Sequence, residues 1–237
     1  MKSVARGDVA HWQAVGFDLD GTLFDHRGSA AIAVRQFTID LGREPTDRLV
    51  AVWFDIEAEH FEHWRTGSIS FGEQRRRRLR AFLHLLAAEQ PSDVGHADAL
   101  FEQYLAHYRR SWRAFPDAAP TLAALRARGV RIGVLTNGNH AQQLDKLETI
   151  GLAPLIDAVC TSEEIGVTKP DPRAFKILAS RLGSTPANMA FVGDNLDQDI
   201  AGARAAGMCA GLVQHDSKTP VKLDAALRAA LDGRDVE

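Results

Sequence analysis

The sequence predicts a doubly wound α/β fold on a parallel sheet, Rossmann-like in plan, interrupted after its first strand by an inserted α-helical cap domain. Three observations predict it. Short runs rich in Val, Ile and Leu recur in the second half, at VRIGVLTN (130–137), IDAVCTS (156–162), MAFVGDN (189–195) and CAGLVQ (209–214). Each is followed by a polar or glycine turn and then a helical pattern, as in βαβ units whose strands are buried on both faces. A fifth run of the same kind, QAVGFD (13–18), lies far upstream, and the stretch between is helical in pattern.

In that intervening stretch, apolar stripes recur at helical spacing through 32–41, 49–64, 69–86 and 100–112. REPTD, RTGS and QPSDVG punctuate them. Of the 17 aromatic residues, 13 lie between Phe24 and Phe115, which gives this insert the large side chains for a core of its own. The expected division is residues 1–23 with 116–237 as the catalytic core and 24–115 as the helical cap.

Composition excludes several classes. A chain of 237 residues, 45% hydrophobic and 25% charged, is that of an ordinary globular protein. A net charge of -3 gives no reason to expect nucleic acid or an anionic membrane as partner. Cys160 and Cys209 have no CxxC or Cys/His spacing around them, so neither a disulfide framework nor a zinc site is expected. The N-terminal stretch MKSVARGDVAHWQAV lacks the apolar core of a signal peptide, and no segment reaches the roughly 18 apolar residues of a membrane span. These features read as a cytoplasmic protein.

Ligands of an open parallel sheet bind beyond the carboxyl ends of its strands, so what each strand delivers there is informative. The first strand delivers Asp18 and Asp20, and the second Thr136, Asn137 and Gly138. The fourth delivers Gly193 and Asp194, with Asp197 and Asp199 following, and VTKPD after the third presents Lys169. Acid, hydroxyl, amide and amine thus converge on one edge from four segments. Carboxylates gathered there repel one another unless a cation lies between them, and hard oxygen donors without His or Cys select magnesium or a close substitute. Alternation puts Asp18 and Asp20 on one side of an extended strand, so that one can attack as nucleophile while the other handles protons. A metal-neutralised phosphoryl group is a suitable target for a carboxylate nucleophile, giving an aspartyl-phosphate. The Thr136 hydroxyl, nearby backbone N–H groups and the Lys169 ammonium are suited to hold its oxygens.

In this order, DLDGT (18–22), LTNG (135–138), Lys169 in VTKPD and GDNLDQDIAGARAAG (193–207) resemble the four motifs of the haloacid dehalogenase-like hydrolase superfamily, in its helical-cap branch. The resemblance implies that Asp18 is the nucleophile and that Asp20 protonates the leaving alcohol and then activates water. It implies that Thr136 and the neighbouring amides of Asn137 and Gly138 bind the phosphoryl oxygens, and that Lys169 ties the phosphate to Asp18. Magnesium would take a carboxylate oxygen of Asp18, the backbone carbonyl of Asp20 and Asp194. The distal acid of the fourth motif is Asp199 in the register GD-x4-D-I, with Asp197 as the alternative.

Other features have blander readings. RRRR (75–78) cannot form one basic patch on a helix, where successive residues point in different directions, and reads as a solvated face with room for one Arg turned toward the active site. His60 and His63 lack HExxH spacing and read as surface or cap residues. Trp53, Phe54, Phe61 and Trp64, at helical spacing, read as cap core more than substrate box.

The expected function is that of a magnesium-dependent phosphomonoester hydrolase acting on a small soluble phosphorylated metabolite, the cap excluding bulk water. LTNG, SEEIGVTKPD and HWRTGSIS are similar to the branch containing pyrimidine 5'-nucleotidases and N-acylneuraminate-9-phosphatases, which implies a nucleoside monophosphate or sugar phosphate. A phosphosugar mutase shares the same motifs. A 2-haloacid dehalogenase needs neither magnesium nor a second acid, so Asp20 speaks against it. A binding module derived from the enzyme would have lost a motif residue, and all are present.

Overall fold

The computed structural model describes residues 12–232. Residues 1–11, the greater part of the stretch that lacks a signal-peptide core, lie outside the described residues. The chain divides into two compact units, Met1–Asp25 with Arg113–Glu237, and His26–Trp112.

The first unit is built on strands β1 (Ala14–Phe17), β2 (Arg131–Thr136), β3 (Ala158–Thr161), β4 (Met189–Gly193) and β5 (Cys209–Leu212). They pair in parallel in the order β3-β2-β1-β4-β5, each within one of the five apolar runs. From β1 the chain winds outward through β2 and β3, then returns to add β4 on the other side of β1. The topological switch point therefore lies between the carboxyl ends of β1 and β4, where such sheets bind ligands.

The second unit holds α1 (His26–Asp40), α2 (Asp47–Arg65), α3 (Phe71–Leu85) and α4 (Val94–Arg110). Thr46, Ser70 and Asp93 start the last three by accepting from backbone N–H groups of Leu49, Glu73 and His96. Its core is aromatic: the Trp53 ring meets Phe82 at 5.0 Å and Tyr104 at 4.5 Å between centroids. Trp53 is buried, while Phe54, Phe61 and Trp64 are half-buried. The RRRR run departs from a solvated face. Arg78 is only 6% exposed, its guanidinium lying over the Trp53 ring and 2.9 Å from Glu57 Oε1. Glu57 also pairs with His26, which bonds the Tyr108 hydroxyl at 2.6 Å. The other three arginines go elsewhere: Arg75 over Phe71, Arg76 to Asp98 and Arg77 to Glu73. An aromatic core that can stack on a guanidinium, with Glu57 to balance its charge, makes the burial of Arg78 tolerable.

Back in the first unit, helices α5 (Ala118–Arg126), α6 (His140–Thr149), α7 (Ser162–Ile165), α8 (Pro172–Arg181), α9 (Gly202–Ala206) and α10 (Leu223–Asp232) cover the sheet. The close packing of α8 needs small residues beneath it: a Cβ on Gly16 or Gly133 would come within 2.7 Å of Leu178. The two crossings between the units pair with each other. Asp25 N–H donates to Arg113 O and Phe115 N–H to Leu23 O, both at 3.0 Å, around an antiparallel bridge between Phe24 and Ala114. Cys160 and Cys209 are free, and burial pushes the Cys160 thiol up to about 11. No helix among the described residues is long and apolar enough to cross a membrane.

Candidate active site

Strand β1 ends at Phe17, but the Asp18 N–H still donates to Val192 O at 2.9 Å, so Asp18 leaves the sheet at the switch point. The chain then turns at once. Leu19 O accepts from Leu23 and Phe24, Gly21 N–H donates to Phe24 O, and Gly21 takes φ +91°. Asp20 therefore stands in this turn and not on an extended strand. The strand alternation expected of the two carboxylates does not apply, and they have different partners.

Asp18 is buried and faces Lys169, whose Nζ lies 2.5 Å from Asp18 Oδ1 and 2.6 Å from Asp199 Oδ1. Asp199 is buried in a wide π turn, Leu196–Ala201, that leads into α9. Its other oxygen accepts from Asn195 N–H at 3.0 Å. Carboxylate oxygens of Asp18, Asp194 and Asp199 lie within 4.8 Å of one another, the metal-capable acidic group among the described residues. The same turn leaves Asp197 exposed, outside that group.

The charges are unbalanced. Burial, then Asp199 and Asp194, push the Asp18 carboxyl well above the usual range, although Lys169 pulls it down. Burial and Asp199 push Asp194 up to about 6, against the pull of Lys169. Asp194 is exposed, so water screens part of that shift. Burial alone would depress Lys169, but attraction to Asp18 and Asp199 more than offsets it and raises its pKa, so the ammonium stays charged. One ammonium among three carboxylates leaves negative charge in excess, and the all-oxygen donor set fits a hard divalent cation such as magnesium.

A second set surrounds Asp20. Gln143 Nε2 donates to Asp20 Oδ2 and to Thr136 Oγ1, both at 2.7 Å, and Lys146 Nζ donates to Asp20 Oδ1 at 2.5 Å. Lys146 also sits 4.8 Å from the centroid of the Phe24 ring. Gly138 clears the way, since a Cβ there would lie 2.5 Å from Gln143 Nε2.

The structure thus gathers Asp18, Lys169, Asp194 and Asp199 in one cluster, and joins Asp20 to Thr136 through Gln143. The Asn137 side chain points to the loop that carries Lys169, leaving the backbone amide for the expected phosphate contact. Its Nδ2 donates to Lys169 O and Gln198 Oε1, and its Oδ1 accepts from Lys169 N–H, so it braces the loop that carries the lysine. Only its backbone remains for a ligand. Gln143 and Lys146 escaped the sequence reading, although their three-residue spacing on the helix after LTNG puts them on one face.

Gly21 supplies a first prediction. A Cβ there would lie 2.2 Å from Asp194 Oδ2, on a backbone that L side chains rarely adopt. Gly21→Ala is expected to destabilise by about 1–3 kcal/mol and to displace Asp194. A melting temperature equal to wild type would contradict this.

Comparison with known proteins identifies the family. The family model of the haloacid dehalogenase-like hydrolases matches residues 12–207. The glyceraldehyde 3-phosphate phosphatase of Methanopyrus kandleri is 34% identical over 200 residues, covering 83% of this chain and 81% of that protein. The ribulose-1,5-bisphosphate 5-phosphatase of Halopiger xanaduensis is 34% identical over 82% of each chain. Phosphoglycolate phosphatase of Salmonella typhi is 31% identical, covering 82% of this chain and 78% of that one. Among solved structures, the HAD-hydrolase YfnB of Bacillus subtilis superposes with a TM-score of 0.79 at 23% identity, covering 94% of this chain and 99% of that one. A 2-haloacid dehalogenase of Pseudomonas syringae pv. Tomato superposes at 0.62 with 27% identity, covering 94% and 100%. With motif order, sheet order and the family match in agreement, the chain belongs to the haloacid dehalogenase-like hydrolases.

Proposed function

We propose that the protein is a magnesium-dependent phosphomonoesterase that works through an aspartyl-phosphate on Asp18. The observation that carries this reading is the division of the two acids. Asp18 is held by Lys169 beside Asp194 and Asp199, and Asp20 by Gln143 and Lys146. A dehalogenase has no use for the second set.

Asp18, Asp194 and Asp199, with the Asp20 carbonyl, would hold magnesium, which supplies charge neutralisation for the phosphoryl group. Lys169 holds the Asp18 carboxylate through Oδ1 and orients it for attack on phosphorus. The Thr136 hydroxyl and the amides of Asn137 and Gly138 bind the equatorial oxygens. As the bond from phosphorus to the ester oxygen breaks, Asp20 gives that oxygen its proton. Asp20 then takes a proton from the water that hydrolyses the aspartyl-phosphate.

The relatives named above support a small phosphorylated metabolite as substrate, and sugar phosphates or phosphoglycolate-like acids ahead of nucleotides. The two free thiols fit a reducing compartment, and we read the protein as cytoplasmic. The test is free phosphate released from a panel of such esters. Chelation by EDTA is expected to stop turnover, and magnesium to restore it. Full activity in the chelator would move the reading to a dehalogenase, and return of phosphate to the sugar would move it to a mutase.

A further inference from the structure

We propose that Gln143 and Lys146 are positioning residues for the proton-transferring carboxyl of Asp20, and that Gln143 sets its place relative to the Thr136 hydroxyl. The inference rests on the phosphatase reading above and adds the parts that hold its acid.

Glutamine and lysine are seldom fully buried, yet these are 2% and 4% exposed. Their burial has a common target. The Gln143 amide has two N–H hydrogens, one directed at Asp20 Oδ2 and one at Thr136 Oγ1. Its Oε1, by contrast, is buried with no hydrogen-bond partner among the described residues. A glutamine present only for packing would satisfy its oxygen. Here the orientation is dictated by the nitrogen, because the reversed amide would set Oε1 against the Asp20 carboxylate. Lys146 takes the other carboxylate oxygen, with its charge against the Phe24 ring face. Gly138 has no Cβ where one would strike Gln143.

Three consequences follow for the reaction. With a donor on each oxygen, the plane of the Asp20 carboxyl is fixed. Because Thr136 Oγ1 accepts from Gln143, its own hydrogen is directed away from that bond and remains a donor for a phosphoryl oxygen. One side chain therefore sets the spacing between the group that holds phosphate and the group that delivers the proton. When that proton passes to the ester oxygen and the bond to phosphorus breaks, the electron pair of the bond stays on the leaving oxygen. The carboxylate left behind faces two N–H donors.

Leaving-group dependence isolates this role, because an activated phenol departs without a proton and an alkoxide does not. The variants are Lys146→Met and Gln143→Leu, at separate contacts so that a folding failure in one leaves the other decisive, with Asp20→Asn as reference. Each is measured by kcat/KM on 2,4-dinitrophenyl, p-nitrophenyl and alkyl phosphates. Both variants are expected to lose about 10²-fold on alkyl phosphates and less than about threefold on the dinitrophenyl ester. Inorganic phosphate binding to Lys146→Met, which leaves the Gln143–Thr136 contact in place, is followed by calorimetry and expected to stay within about twofold of wild type. A loss equal across the series, with Asp20→Asn still selective, overturns the positioning role. Phosphate binding weakened about tenfold in Lys146→Met also overturns it, by making that lysine a phosphate ligand. An Asp20→Asn variant that loses aryl and alkyl esters alike overturns the Asp20 assignment itself, and the proposal with it.

Discussion

Asp18→Asn is expected to abolish phosphate release while the protein stays fully folded. The activity loss is at least about 10³-fold, because an amide cannot form the acyl-phosphate and no neighbouring group replaces it. The stability expectation has a definite sign. Burial, then Asp199 and Asp194, raise the Asp18 pKa despite Lys169. A carboxyl whose folded pKa lies above its unfolded value binds protons more tightly in the folded state. Its contribution favours folding at acid pH and turns against folding as pH rises through the window from 3.8 upward. At pH 7 the wild-type fold therefore carries a cost that the neutral, near-isosteric Asn removes, while Lys169 keeps Asp199 as partner. Melting temperature at pH 7 without metal is expected to equal or exceed wild type. Unchanged turnover of p-nitrophenyl phosphate would sink the nucleophile assignment. A large drop in melting temperature would show that the Asp18–Lys169 pair stabilises the fold more than burial opposes it.

Much of this molecule is readable in one dimension, for a physical reason. Parallel strands covered on both faces must be apolar throughout, so all five strands stand out as short runs. The DLDGT, LTNG, VTKPD and GDNLDQD stretches stand out because a reaction edge needs polar groups where the strands end. What escapes depends on distance along the chain. Gln143 and Lys146 are two polar residues on a polar helix until Asp20, 123 and 126 positions away, is brought against them. Arg78 reads as solvated because arginine usually is. Its burial depends on Trp53 and Glu57 arriving from another helix. A π turn buries Asp199 beside Asp18 and Asp194 and leaves Asp197 exposed; it widens the helix by a residue, which a 3.6-residue period does not foresee. The place of Asp20 was obscured in the same way: alternation assumes a strand that has already ended at Phe17.

Lys169→Met is expected to have the largest effect on stability of any single change in the site. The ammonium is 2% exposed and serves two buried carboxylates at once, so its removal leaves both without a cation. Breaking a buried pair in this way costs about 3–5 kcal/mol, which for a chain of this size is a fall of roughly 10 °C in melting temperature. Activity falls as well, by about 10²–10³-fold, because the group that orients Asp18 and compensates charge on the phosphoryl oxygens is lost. Loss of packing alone could imitate the stability effect, and pH separates the two. The raised pKa of Lys169 means that its contribution is fully present from acid through neutral pH and fades only in strong alkali, so the lysine itself adds no slope between pH 5 and 8. The slope comes from Asp18. Its pKa is raised even with Lys169 pulling it down, and without the lysine it rises further. In the variant the folded state then takes up a proton that the unfolded chain does not, and part of the lost stability returns as pH falls. The difference in melting temperature between wild type and Lys169→Met, measured in chelator, is expected to be smaller at pH 5 than at pH 8. A difference that is constant or larger at pH 5 would mean that the lysine acts by filling space, and that the excess negative charge inferred for this cluster is not present in the folded protein.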